Sequence, residues 1–268
     1  MRRVPFDASW PDSWKLSHHY DDLELHDAEA RSGYARVYAE RWRHTLRLVA
    51  RAAAPPARVI DIAAAQGNFT LALAARGYDV TWNDIRAELE GYVRLKHTQG
   101  TVRFAPGNAF ELGFRRAFDI ALIGEVIEHV AHPDEFLRHT AELVVPGGHI
   151  VMTTPNGGYV LNRLPRFTDH PDPSVFESQQ FAPNADGHIF LLHADEVATL
   201  GRAAGLELVE HCVFSNVLSN GHSGLGALLR VLPIGGVRAI EHWSQRRPML
   251  ARYHSNSATL FRKPVEES

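Results

Sequence analysis

The stretch Val59-Ile-Asp-Ile-Ala-Ala-Ala-Gln-Gly-Asn-Phe69 joins an apolar run to a turn of small residues, and Tyr78-Asp-Val-Thr-Trp-Asn-Asp84 follows it. Residue type predicts a buried strand from Arg58 to Ile62, a helix from Asn68 to Arg76, and a second strand from Asp79 to Asn83. Gly77 sits where a helix stop belongs. Strand, small turn, helix, strand and acid together bring backbone close to a nucleoside and leave a carboxylate, Asp84, for ribose hydroxyls. Reading from Asp61, the every-second positions are Ala63, Ala65 and Gly67, where a Gly-x-Gly-x-Gly pattern has three glycines. Alanine packs closely but does not readily take positive φ, so full backbone freedom is expected at Gly67 alone. A pyrophosphate cradle needs several inward N–H groups, and this turn suits one poorly.

An Asp at a strand end followed by such a turn resembles motif I of the class I S-adenosylmethionine-dependent methyltransferases. In that family the turn lies against the methionine part of the cofactor, and the acid after strand two binds the ribose. The resemblance therefore implies cofactor contacts from Asp61, Ala63, Ala65, Gly67 and Asp84. Three later segments extend it. Phe118-Asp-Ile-Ala-Leu-Ile123 resembles strand four, and Leu143-Val-Val-Pro-Gly-Gly148 before His149-Ile-Val-Met-Thr-Thr154 resembles the lead into strand five. Gly107-Asn-Ala-Phe110 falls where the family reads the adenine amino group, usually with Asp; here Asn108 offers a side-chain oxygen instead. The alternative is an ordinary strand-to-helix turn with alanines chosen for packing.

The implied fold is a Rossmann-like α/β domain: a seven-stranded, mostly parallel sheet with helices on both faces and an antiparallel last strand. Residues 1–56 are expected to form an N-terminal helical cap and residues 57–268 the methyltransferase domain. Insertions are expected after strands five and six, near 155–192 and 215–256. Gly33 to Ala53 is predicted to be an amphipathic helix ended by Pro55-Pro56. Further helices are read from Ala194 to Ala204 and near Leu225 to Leu232, with strands from Leu206 to Phe214 and Ser257 to Lys263.

A chain of 268 residues with 45% hydrophobic content can bury an ample core in one domain. Its formal net charge of −3 gives no general electrostatic case for nucleic acid. The single cysteine, Cys212, rules out an intramolecular disulfide framework and suits a reducing cytoplasm. The opening residues lack the apolar core of a secretory signal, and no run of about 18 apolar residues suggests a membrane span.

The sharpest chemistry lies in Gly124-Glu125-Val-Ile-Glu128-His129, directly after the predicted fourth strand. A helical turn here would place Glu125, Glu128 and His129 at i, i+3 and i+4 on one face. Two converging carboxylates and an imidazole call for a neutralising cation, and the donor set suits Mg²⁺, Mn²⁺, Fe²⁺ or Zn²⁺, with carboxylate weight favouring the harder ions. Two other readings stay open. One is a helix opening with a packed His129; the other is His129 as a lone general base, with the glutamates structural or, for Glu125, facing the cofactor. Glu-x-x-Glu-His at this point resembles two metal-using groups, the small-RNA 3′-terminal 2′-O-methyltransferases and the ubiquinone-biosynthesis O-methyltransferases. In the RNA group a later histidine completes the metal site. Thr153-Thr-Pro-Asn156 resembles the segment after strand five, and Gly187-His188-Ile-Phe190 falls where that last ligand stands. The resemblance thus implies Glu125, Glu128, His129 and His188 as metal ligands, with His193 and His170 as substitutes and His129 or His188 as a direct base.

A methyl acceptor is harder to read. Trp10, Trp14, Tyr20, Phe167, Phe176, Phe181 and Phe190 are available as pocket walls, though core packing explains them equally, and the loop Asn216 to Gly224 with His222 could face substrate. Gly124 to Glu135 and Asp186 to Glu196 contain no Lys or Arg, which disfavours an RNA end and points to a small hydroxylated molecule. An RNA 3′-terminal 2′-O-methyltransferase and a noncatalytic cofactor-binding protein are the rival readings.

Overall fold

The computed structural model describes residues 1–26, 32–180, 187–218, 220 and 234–265. Phe181, Asp186, His222 and the expected helix near Leu225 to Leu232 lie outside the described residues. In chain order the elements are α1 (Asp12–Glu24), α2 (Gly33–Ala52), β1 (Arg58–Ile62), α3 (Asn68–Ala74), β2 (Asp79–Trp82), α4 (Leu89–Lys96) and β3 (Thr101–Phe104). They continue with β4 (Phe118–Gly124), α5 (Pro133–Leu143), β5 (Val144–Pro155), α6 (Ala194–Ala203), β6 (Glu207–Asn216), α7 (Ile234–Gln245) and β7 (His254–Arg262). Short 3₁₀ turns occupy Ile127–His129, Phe167–Asp169, Pro173–Gln179 and Pro248–Tyr253.

The seven strands lie in the order β3-β2-β1-β4-β5-β7-β6. β1 pairs in parallel with β2 and β4, and β4 with β5; β7 runs antiparallel to both β5 and β6. This is the Rossmann-like methyltransferase architecture that the sequence implies. The strand residues alternate between faces, as a sheet covered on both sides requires. Ile60, Ala121 and Ile123 pack with Leu137 and Ala141 of α5 and Val197 and Leu200 of α6. Val59, Ile120 and Leu122 pack on the other face with Leu48 and Val49 of α2 and Leu73 and Ala74 of α3. Leu48 is fully buried, and truncating it to alanine should cost about 2–5 kcal/mol. Helix α2 therefore covers one face of the sheet, while α1 lies farther out.

β5 differs from expectation. Its strand begins at Val144, before the two glycines, because a register shift against β4 between Phe118 and Ile120 absorbs them. Among the described residues no helix is long and apolar enough to cross a membrane.

The switch in strand order between β1 and β4 opens a crevice at the carboxyl ends of the parallel strands, where ligands of open α/β sheets bind. The turn after β1, the acid after β2 and the Glu-x-x-Glu-His segment after β4 all reach that end.

Candidate active site

The turn after β1 takes a backbone that the alanines were not expected to allow. Ala63, Ala65 and Gly67 are all left-handed, with φ of 54°, 47° and 71°. The chain keeps a glycine-like backbone without the glycines, at about 1–2 kcal/mol for each alanine. Neighbouring contacts impose it. Ala64 N donates to Asn83 O at 2.8 Å, Ala65 N to Asp84 Oδ2 at 2.8 Å, and the Trp82 indole Nε1 to Ala65 O at 3.0 Å. At Gly67 a Cβ would stand 2.7 Å from Val93 Cγ1, so α4 packing as well as φ demands glycine there.

Asp84 follows β2, two residues past its end at Trp82, and it is 1% exposed. Its Oδ1 accepts from Arg86 N and Nε, both at 2.9 Å, and its Oδ2 accepts from Arg86 Nη2 at 3.0 Å in addition to Ala65 N. Asn108 is exposed; its oxygen caps Phe110 N at 3.1 Å and its amide donates to Glu111. Asp61 is buried and accepts from Thr70 Oγ1 at 2.6 Å, tying β1 to α3. Burial pushes its carboxyl up to about 7, against the hydrogen bonds from Thr70 that favour the charge.

A polar network from the N-terminal helices joins this turn, and no motif in the sequence signals it. Glu24 of α1 accepts from Gln66 Nε2 at 2.9 Å and Asn68 Nδ2 at 3.0 Å on one oxygen, and from Tyr34 Oη at 2.8 Å on the other. The Lys96 ammonium donates to Asp21 Oδ2 at 2.6 Å, Asn68 Oδ1 at 2.6 Å and Gln66 O at 3.0 Å. Arg41 of α2 stands 3.6 Å from Glu24 and 3.5 Å from Glu125, over the Tyr38 ring at 4.8 Å. Burial raises the Glu24 carboxyl and lowers the Lys96 ammonium, each against its ion-pair partner. Trp10 and Trp14, candidates for a pocket wall, instead stack against Tyr92 of α4 at 5.8 and 5.9 Å.

After β4 the expected helical turn does not form through Glu125. Its φ is 56°, and the 3₁₀ turn starts only at Ile127. Glu125, Glu128 and His129 therefore do not share a helical face. Glu125 Oε2 faces Arg41 and accepts from Asn256 Nδ2 at 3.4 Å, while its Oε1 is buried without a partner among the described residues. The absence of basic residues in the sequence flanking this segment is thus offset by a cation from α2.

Glu128, His129 and His188 do converge: one ligand atom from each lies within 4.8 Å of the others. Glu128 is fully buried, with Oε2 accepting from Thr154 Oγ1 at 3.0 Å and Oε1 without a partner among the described residues. Burial, then the nearby Glu125 charge, pushes its carboxyl well above the usual range. His129 Nδ1 stands 3.2 Å from Gly187 O, and its Nε2 is 4.0 Å from Glu128 Oε1. A carbonyl only accepts, so this contact assigns a proton to Nδ1, with Nε2 on the side of Glu128 Oε1. The His129 and His188 rings meet edge to face at 4.9 Å. The two substitute histidines lie elsewhere: His170 packs on Phe176 at 4.9 Å, and His193 caps α6. Phe167, Phe176 and Phe190 form an apolar cluster with Ala131 and Ile189 beside this segment.

The chemistry of the donor set fits a divalent cation. A buried carboxylate oxygen without a partner among the described residues is costly, and Glu128 carries one in a cluster with two imidazoles.

A family model described as "Methyltransferase domain" matches residues 34–211. The chain belongs to this methyltransferase domain family. Among characterised relatives, a ubiquinone biosynthesis O-methyltransferase of Xanthomonas campestris pv. campestris (strain B100) is 30% identical over 139 residues, 46% of this chain and 58% of that protein. One from Caulobacter sp. (strain K31) is 32% identical over 111 residues, 37% of this chain and 41% of that protein. The similarity thus spans about half the length of these relatives. Among solved structures, the 1,6-didemethyltoxoflavin-N1-methyltransferase of Burkholderia thailandensis, with 1,6-didemethyltoxoflavin and S-adenosylhomocysteine bound, superposes with a TM-score of 0.53 at 17% identity, covering 97% of this chain and 93% of that one. The [4+2]-cyclase SpnF superposes with a TM-score of 0.54 at 18% identity, covering 83% and 80%. Likeness at that level shows the fold; the reaction has to be argued from the site.

Proposed function

We propose that this enzyme methylates an oxygen of a small hydroxylated molecule, with a divalent cation, Mg²⁺ or Mn²⁺, held by Glu128, His129 and His188. The observation that carries the reading is the fully buried Glu128, whose Oε1 has no partner among the described residues, clustered with the His129 and His188 imidazoles. Glu125 is a further donor, through a buried Oε1 that also has no partner among the described residues. When bound, the cofactor supplies an electrophilic sulfonium methyl, and the cation lowers the pKa of a hydroxyl beside it.

The chain's own residues divide the remaining work. Asp84 accepts the ribose hydroxyls, and the left-handed turn Ala63 to Gly67 lets backbone approach the methionine part. Asp61 holds the turn to α3 through Thr70. Asn108 stands at the adenine end, and Arg41 provides a positive charge suited to the methionine carboxylate. The Gly187 carbonyl fixes the His129 tautomer, so Nε2 faces inward either to hold the cation or to take a proton from the acceptor. That lone pair also supports a second reading, in which His129 is a base and no cation takes part. The O-methyltransferase names of the relatives favour oxygen over nitrogen as the acceptor.

The test is incubation of the full chain with methyl-labelled S-adenosylmethionine and a panel of catechols, phenols and sugars. Label in an ether product, lost with chelator and restored by Mg²⁺ or Mn²⁺, supports the proposal. Turnover untouched by chelator leaves the His129 reading. Label in an RNA 3′ end alone rejects the small acceptor.

A further inference from the structure

A second cavity of about 560 Å³ opens between the start of α6, the middle of β6 and the segment leading into β7. Arg246, Arg247 and Arg252 line it, together with His193 and Asn156. All three arginines are exposed, and none has an ion pair among the described residues. The other lining charge, Asp195, is already engaged by Arg166. Three uncompensated guanidiniums around one concavity repel each other and raise the local positive potential, an arrangement without benefit to folding.

Aromatic neighbours hold two of these groups in place. Arg247 lies over the Trp243 ring at 4.5 Å, and Arg252 over Tyr253 at 5.0 Å. These contacts seat both guanidiniums against rings; Arg252 donates from Nη2 to Tyr253 Oη at 2.9 Å, and the further N–H groups of each fork can meet an oxyanion.

We propose that this cleft binds a small molecule through an oxyanion, a phosphate or carboxylate group, with Arg246, Arg247 and Arg252 as its cationic partners. The site is distinct from the Glu128 cluster, and its existence does not depend on the methyl-transfer reading.

Calorimetric titration of the full chain with inorganic pyrophosphate, and separately with citrate, tests it. At least one should bind at low salt, weaken as salt rises, and bind roughly ten-fold more weakly in each of the variants Arg246→Gln, Arg247→Gln and Arg252→Gln. Arg252→Lys, which keeps the charge, should retain most of the affinity. Tighter pyrophosphate identifies a phosphate ligand, and tighter citrate a carboxylate. S-adenosylhomocysteine affinity should be unchanged in all four variants, which reports that they are folded. Its absence in the unmodified protein would count against the methyltransferase reading while leaving this site standing. No binding of either anion, or binding indifferent to all three glutamine variants, overturns the proposal. Short single-stranded RNA bound through these arginines in preference to both anions would overturn its small-molecule form.

Discussion

The Arg86 guanidinium lies bidentate across the Asp84 carboxylate, with Nε 2.9 Å from Oδ1 and Nη2 3.0 Å from Oδ2. Together with Ala65 N and Arg86 N, it saturates the acid assigned to the ribose. On the proposed ribose role, cofactor entry requires Arg86 to give way or share. Arg86 is 50% exposed but Asp84 only 1%, so the pair is stronger than a surface ion pair, and the ribose must replace it with the roughly 1.5–3 kcal/mol of hydrogen bonds it makes to a charged acceptor. On that reading the competition reduces the net affinity.

Arg86→Ala should accordingly bind S-adenosylhomocysteine up to about five-fold more tightly, and Asp84→Ala at least ten-fold more weakly. Calorimetry on the two variants checks both. Weaker binding in Arg86→Ala would mean that the guanidinium touches the cofactor.

The left-handed alanines yield a stability test. Ala65→Gly relieves about 1–2 kcal/mol of backbone strain and adds about 0.4–1 kcal/mol of unfolded-state entropy, so it should be neutral or slightly stabilising. Gly67→Val, a β-branched residue at φ 71° with its Cβ against Val93, should lower the melting temperature markedly and abolish cofactor binding. A melting temperature unchanged in Gly67→Val would show that the turn is not built as described.

Much of this turn was legible because it is local. The run Val59 to Phe69 carries its own strand, turn and helix signals, and Asp84 follows at the end of the next strand. The conformation of Ala63 and Ala65 was not legible, since partners from β2 impose it: Asn83 O, the Asp84 carboxylate and the Trp82 indole. Arg41, Glu24 and Lys96 escaped notice for a similar reason. A polar residue on an amphipathic helix reads as solvated surface until the fold brings a second helix over it. At Glu125 helical spacing fails because a single positive φ turns the side chain toward α2. The cluster of Glu128, His129 and His188 was legible by resemblance, although spacing alone could not have selected His188 among 16 histidines.

Asp61 carries a pH signature. Its carboxyl is raised from 3.8 to about 7 by burial, so the folded state holds a proton that the unfolded chain releases. This group's contribution to stability is greatest below about pH 4, declines as pH rises toward 7, and is flat above. Asp61→Asn keeps an acceptor for Thr70 and removes the titration. Its melting temperature should gain on the unmodified protein between pH 4 and 7 and keep that gain at pH 8. A constant difference across this range would show that Asp61 is not neutralised by folding.

The cation at Glu128 is tested most directly by titrating metal-stripped protein with Mn²⁺, followed by electron paramagnetic resonance, for the unmodified chain and for Glu128→Ala. One Mn²⁺ should bind per chain in the former and none specifically in the latter, with S-adenosylhomocysteine affinity equal in both because Asp84 and the Ala63 to Gly67 turn are untouched. Absence of a specific Mn²⁺ site in the unmodified protein, or its survival in Glu128→Ala, would contradict the metal-assisted reading.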